Sequence, residues 1–351
     1  MSSSQSRRLE GLDLARFLAL VGMVIVNFKI AMGVPEESAG WAAALGRALE
    51  GRAAATFVVL AGIGLGLAYQ RASGQSLVAV TLKRAAFLMA IGLLNSLIFE
   101  ADILHYYAVY FALGVFCLPL LRRWLAALIA TLIFGFMVLV FVLDYEAGWN
   151  WQTLTYSGFW TPEGFVRNLL FNGWHPVVPW LAFLLFGIVL AKSDLARPRT
   201  QHVLIGGGIA VWLAAEALSW VLQPRFTGEW LELVDLVGTS PVPPAPLYML
   251  AGGGFAAAMV GLCLVLAAPL KTIGVLDAVT PAGRQTLTLY IAHIFLGMGT
   301  LEALGMLGGQ SAEAAFAAAL LFSLVATLFA WVWARRWKRG PLEMLMRRLA
   351  G

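Results

Sequence analysis

The chain has 351 residues, of which 60% are hydrophobic and only 12% charged, and its mean hydropathy is +0.82. Soluble domains carry about a quarter charged residues, and none hides this much apolar surface, so a water-soluble enzyme or binding module is excluded. The net charge of +5 does not indicate a nucleic-acid partner, because the basic residues punctuate apolar runs instead of forming a stripe interleaved with aromatics.

A bilayer core about 30 Å thick takes roughly 20 apolar residues per helix. Runs of that kind, bounded by charge or by Pro and Gly, fall at 12–33, 53–70, 84–99, 103–121, 124–143, 174–191, 203–222, 245–269, 285–305 and 314–334. The expected fold is an all-α polytopic membrane helical bundle of about ten transmembrane helices. With no polar linker between runs, residues 1–351 are expected to form a single integral membrane domain. The first run follows Arg7 and Arg8 as a signal peptide would, but it is too long and lacks a small-residue cleavage site, so it is expected to stay as a span.

An N-terminus in the cytoplasm places eighteen of the 24 basic residues inside, including the basic tail over 335–351. This positive-inside bias predicts an N-in/C-in topology. Gly62, Gly64 and Gly66 lie within the second run, where they suit close helix approach and not phosphate binding. Cys117 and Cys263 sit in apolar runs and read as small hydrophobes. The segment 144–173 is the longest extracytoplasmic loop and is rich in aromatics, among them Trp149, Trp151 and Trp160. It reads as an interfacial re-entrant segment or as a lid over an outward-facing site.

Ionisable groups in spans are costly, so each marks a candidate lined cavity. In FEADILHYYAVY, His105 follows Glu100 and Asp102 by about one helical turn, which suits a general base oriented by a carboxylate, or equally a histidine near a helix start. His175 in NGWHPVVPW lies at the same outer side, flanked by Trp174 and Trp180. His293 lies about eight residues into the ninth run, where a hydrogen-bonded packing role is the simpler reading. Glu216 in the seventh run is a candidate for proton coupling, or for a hydrogen bond to a neighbouring helix. No HExxH motif and no Cys/His cluster is present, so no metal site is expected. Arg8, Arg16, Arg84, Arg122 and Arg284 recur at the inner ends of runs, where they pair with lipid headgroups or seat a phosphate-rich cytoplasmic donor.

The segments RRLEGLDLARFLALVGMVIVNF, FEADILHYYAVYFALG, NGWHPVVPWLAFLLFGIVLAK, GRQTLTLYIAH and RGPLEMLMRRL together resemble the YeiB-type bacterial membrane family of unknown function, from end to end. The closing Gly-Pro-Leu-Glu followed by a basic pair is the most specific element. The first span, with Leu-Asp, then Arg16 and Asn27, also resembles the heparan-alpha-glucosaminide N-acetyltransferases and other transmembrane acyltransferases. That resemblance implies a bacterial cytoplasmic (inner) membrane protein moving an acyl group from cytoplasmic acyl-CoA (acetyl-CoA) to an extracytoplasmic, sugar-like hydroxyl or amine acceptor.

The chain departs from the broader acyltransferase pattern at Asn27, where a histidine would stand, and it has no histidine between the first two spans. A base would then be His105, His175 or His293, with Asp102 or Glu100 as orienter and Asn27 donating to the developing oxyanion. The expected partners are the lipid bilayer and a small-molecule acceptor, with a homodimer left open. A permease in which Glu216 and His293 relay protons is the alternative, although no repeat symmetry between halves supports it.

Overall fold

The computed structural model describes residues 9–71 and 75–351, with only the backbone of Gln75 and Ser76. Arg7 and Arg8 lie outside the described residues. The chain forms α1 (Glu10–Ala31), α2 (Trp41–Leu49), α3 (Arg52–Arg71), α4 (Gln75–Asn95), α5 (Leu104–Cys117) and α6 (Arg122–Val142). A short hairpin of β1 (Trp149–Asn150) and β2 (Thr155–Tyr156) follows, then α7 (Pro162–Arg167), α8 (Val177–Ala191), α9 (Pro198–Leu222) and α10 (Pro246–Thr272). The remainder is α11 (Val275–Gly283), α12 (Thr286–Ala292), α13 (Gly299–Ala303), α14 (Ala312–Ala334) and α15 (Pro341–Ala350).

Among the described residues eight helical stretches are long and apolar enough to cross a membrane. A ninth is bent by 50° between Pro162–Asn172 and Val177–Ala191, and the apolar helix Leu104–Cys117 is shorter. Each of the ten expected runs therefore has its helix, and the protein is an all-α, multi-pass membrane bundle. Helix α6 illustrates why. Of its 21 residues only Leu125 and Phe136 are buried, so an apolar surface is left for lipid to cover.

The boundaries differ in three places. Helix α4 starts at Gln75 and ends at Asn95, so Lys83 and Arg84 lie inside the helix and the turn to α5 is longer than the apolar run implied. Helix α2 occupies a stretch with no spanning run. The segment 144–173 is only partly loop, because Thr161 caps α7 through its side chain, accepting from Gly164 N at 3.1 Å, with Pro162 at the first helical position.

The described chain falls into two compact units, each assembled from several stretches. One contains residues 9–57, 194–208 and 256–345. In it α1 packs on α11 and α14, with Phe28 against Phe322 at 5.9 Å. Gly283, at the end of α11, lies so close to the backbone of Asp13 that any Cβ would collide, which fixes why a glycine precedes Arg284.

The other unit contains residues 58–71, 75–193, 209–255 and 346–351. In it α4 pairs with α5, and α8 packs against α5 and α6. Gly62 and Gly187 face one another across α3 and α8, each leaving no room for a Cβ against the opposite backbone, and Gly66 abuts Ala191. Small residues allow this close approach, as the sequence indicates.

Candidate active site

In the second unit the α4–α5 turn folds into a buried acid–imidazole pair. Asp102 precedes the cap of α5 and its Oδ2 accepts from Leu104 N at 2.8 Å and His105 N at 3.2 Å, satisfying two of the donors a helix start leaves open. The same oxygen lies 3.0 Å from His105 Nδ1, and Asn95 Nδ2 donates to Oδ1 at 2.7 Å. Asp102 and His105 are both 0% exposed. A carboxylate on Nδ1 assigns the proton to that nitrogen and leaves Nε2 as the acceptor. Nε2 has no hydrogen-bond partner among the described residues. Gly92 makes this packing feasible, since a Cβ there would strike His105 N.

Glu100 has a different part. Its Oε2 accepts from Tyr156 N at 3.0 Å, tying the hairpin to the α4–α5 turn, so Asp102 is the carboxylate that orients His105. Burial raises the Glu100 carboxyl above its ordinary 4.5, with the Tyr156 hydrogen bond opposing.

The hairpin is held by Asn172, which is 0% exposed. Its Nδ2 donates to Tyr145 O at 2.8 Å and Ala147 O at 2.9 Å, and its Oδ1 accepts from Tyr156 OH at 3.0 Å. Trp149 stacks on Trp151 at 4.3 Å and meets Trp174 edge-on at 5.2 Å.

Hairpin, α7 and turn enclose a cavity of about 400 Å³. Its aromatic walls are Trp149, Tyr156, Phe159, Trp160 and Trp174, and its polar groups come from Ser96, Glu100, Thr161 and Asn168. The single charged side chain in the lining is a carboxylate. His105 lies behind this wall. Ser96 Oγ is 3.4 Å from its Nδ1, and the Phe159 ring meets the imidazole edge-on at 5.7 Å.

His175 is brought to the same place. The Tyr106 ring lies between the two imidazoles, 4.0 Å from His105 and 5.8 Å from His175 by ring centroid. Tyr106 OH donates to Asn168 Oδ1 at 2.5 Å, and Tyr110 OH donates to the His175 carbonyl. His175 Nδ1 has no hydrogen-bond partner among the described residues.

The remaining candidates separate. Asn27 and His293 pair in the first unit, Nδ2 to Nε2 at 2.9 Å, while His293 Nδ1 donates to Tyr290 O. The same unit holds Asp13, 1% exposed, between Arg16 Nη1 at 2.8 Å and Arg284 Nε at 3.1 Å. Two guanidiniums thus converge on this one carboxylate. In the second unit Arg84 donates to Gly351 O at 2.9 Å, and Arg122 donates to Lys192 O and Ser193 Oγ. Glu216 accepts from Trp212 Nε1, on its own helix, at 3.0 Å and from Thr239 Oγ1 at 2.7 Å.

Sequence reasoning missed Asn95, Ser96, Asn168 and Asn172. Their signal was available as polar residues closing an apolar run in LLNS and as an asparagine pair four apart in NLLFN. It missed Glu343 as well. That carboxylate accepts from Leu287 N at 2.8 Å and Thr288 Oγ1 at 2.6 Å, capping α12, which accounts for the Gly-Pro-Leu-Glu element. Gly340 leaves room beside it, since a Cβ there would displace the Glu343 carboxylate and the Thr288 hydroxyl.

No curated protein matches the chain. Residues 189–351 match the family model described as Protein of unknown function (DUF418). Residues 8–216 match the model described as Heparan-alpha-glucosaminide N-acetyltransferase, catalytic. Since that match takes in more than half of the chain, the protein belongs to the heparan-alpha-glucosaminide N-acetyltransferase catalytic family of transmembrane proteins.

Proposed function

We propose that the protein is a membrane acyltransferase that moves an acyl group from cytoplasmic acyl-CoA to a hydroxyl or amine of an extracytoplasmic, sugar-like acceptor. The observation carrying this reading is the buried Asp102–His105 pair, whose Nε2 has no hydrogen-bond partner among the described residues, in contact with Ser96 and Phe159 of an aromatic cavity wall. Family membership supports acetyl transfer as the reaction class. The cavity favours a ring-shaped polar acceptor, since aromatic faces cover the apolar face of a sugar while Glu100, Thr161 and Asn168 take its polar groups.

In this reading His105 Nε2 removes the proton from the acceptor O–H or N–H as that atom attacks the thioester carbonyl. Asp102 holds the imidazole and stabilises the imidazolium that forms. The tetrahedral adduct collapses, the C–S bond breaks, and the imidazolium returns the proton to the coenzyme A thiolate. Phe159 swings aside to let the acceptor reach the imidazole. His175 is the second imidazole available to the acceptor, and Asn27 and His293 serve as a structural pair. Arg84 and Arg122, in the same unit as the cavity, would hold the donor's phosphates, and the positive-inside pattern supports an N-in/C-in orientation in a bacterial inner membrane.

The test is transfer of labelled acetyl from acetyl-CoA to glucosamine-type acceptors by the full-length protein in proteoliposomes. His105→Ala and His105→Gln should each reduce transfer by about 100-fold or more. Transfer at the wild-type rate in both variants removes His105 as base. Uptake of an unmodified acceptor by the wild type, with no acetyl product, would replace transfer with permease activity.

A further inference from the structure

The end of α14 forms an aromatic and basic turn that the acyl-transfer reading does not use. Arg335 Cζ lies 3.7 Å from the centroid of the Trp331 ring, and Arg336 Cζ lies 5.5 Å from that of Trp337. Trp337 in turn stacks on Trp333 at 4.2 Å, and Trp333 Nε1 donates to Arg339 O at 2.8 Å, closing the turn. An indole face attracts a guanidinium and fixes its plane without neutralising it, so its N–H edge stays available to an anion.

No acid balances this charge. Arg335, Arg336 and Lys338 are exposed and make no ion pair among the described residues. Beyond Glu313 the chain has a single acidic residue, Glu343, and its carboxylate is committed to Leu287 and Thr288. The turn also sits where headgroups lie. It ends a 23-residue apolar helix whose last exposed side chains include Phe329 and Trp331, and Trp337 follows.

We propose that this turn binds the phosphate of an anionic phospholipid, gripped by Arg335 and Arg336 with Lys338 beside them, the acyl chains lying along the Phe329 and Trp331 side of α14. A soluble phosphate compound shares the headgroup chemistry. The adjoining exposed apolar surface favours the lipid, because it would remain uncovered by a soluble ligand.

The experiment uses the full-length protein, delipidated in detergent, with native mass spectrometry and thermal unfolding at defined phosphatidylglycerol or phosphatidylcholine. Phosphatidylglycerol should be retained and should raise Tm, added salt should weaken it, and phosphatidylcholine should do neither. The triple variant Arg335→Ala/Arg336→Ala/Lys338→Ala should bind phosphatidylglycerol at least about tenfold more weakly. Arg335→Lys, which keeps the charge but not the stacked plane, should fall between, and Arg197→Ala at another exposed position should match the wild type. Equal retention of the two lipids, or full retention by the triple variant, overturns the proposal. So does displacement of phosphatidylglycerol by adenosine 3′,5′-bisphosphate, which would make this a soluble-phosphate site. If the triple variant does not fold, the lipid comparison and salt dependence of the wild type still decide.

Discussion

Asn27 and His293 are 266 residues apart in the chain, yet Asn27 Nδ2 lies 2.9 Å from His293 Nε2. With Nδ1 donating to Tyr290 O, the imidazole has both nitrogens occupied and its tautomer set. Asn27→Leu would strand a buried acceptor, for which a loss of about 1–3 kcal/mol is expected. Thermal unfolding in detergent would measure it, and an unchanged Tm would mean the contact contributes nothing.

The other histidine pair predicts kinetics. Asp102→Asn retains the shape but loses the charge that steadies an imidazolium, so acyl transfer should drop by about 100-fold with the acceptor KM little changed. A pure KM effect would place Asp102 in binding and not in orientation.

Phe159 and Ser96 screen His105 from the cavity, and His105 is 0% exposed. Phe159→Ala should therefore speed carbethoxylation of His105 by diethyl pyrocarbonate, followed by peptide mass spectrometry, while His293 stays protected. Identical labelling rates at His105 would exclude Phe159 as the screen.

Asn172 fastens the hairpin through three side-chain hydrogen bonds. Asn172→Ala should cost about 3 kcal/mol, at roughly 1 kcal/mol for each bond lost. Tryptophan emission should shift to the red as Trp149 and Trp151 leave their packed positions. Retained emission with retained stability would argue that the aromatic contacts alone hold the segment.

Burial pushes the Glu343 carboxyl above its ordinary value of 4.5, with hydrogen bonds from Thr288 and Leu287 offsetting part of the rise. A raised value in the folded state means that Glu343 contributes stability fully below pH 4.5 and loses it as pH climbs through the raised value. Glu343→Gln does not titrate. The Tm of the variant relative to the wild type should accordingly rise with pH across that window and level off above it, and a flat difference would contradict the burial.

What the residues determined unaided was what one helix or one turn can encode. Ten apolar runs have to be helices because lipid offers no partner for backbone N–H and C=O groups, and ten helices stand where the runs lie. The Asp102–His105 pair was legible for the same reason, since residues three apart at a helix start are neighbours whatever surrounds them. Tertiary structure decided everything that joins distant segments. Glu100 and Asp102 are indistinguishable as orienters in FEADILH, and only the arrival of β2 takes Glu100 away. Glu343 acquires its role from α12, some 55 residues earlier, and Asn27 from His293. Periodicity reports which side chains share a face, whereas the partner that a buried polar atom finds depends on which helices pack together, and that is set by small-residue contacts such as Gly62 on Gly187.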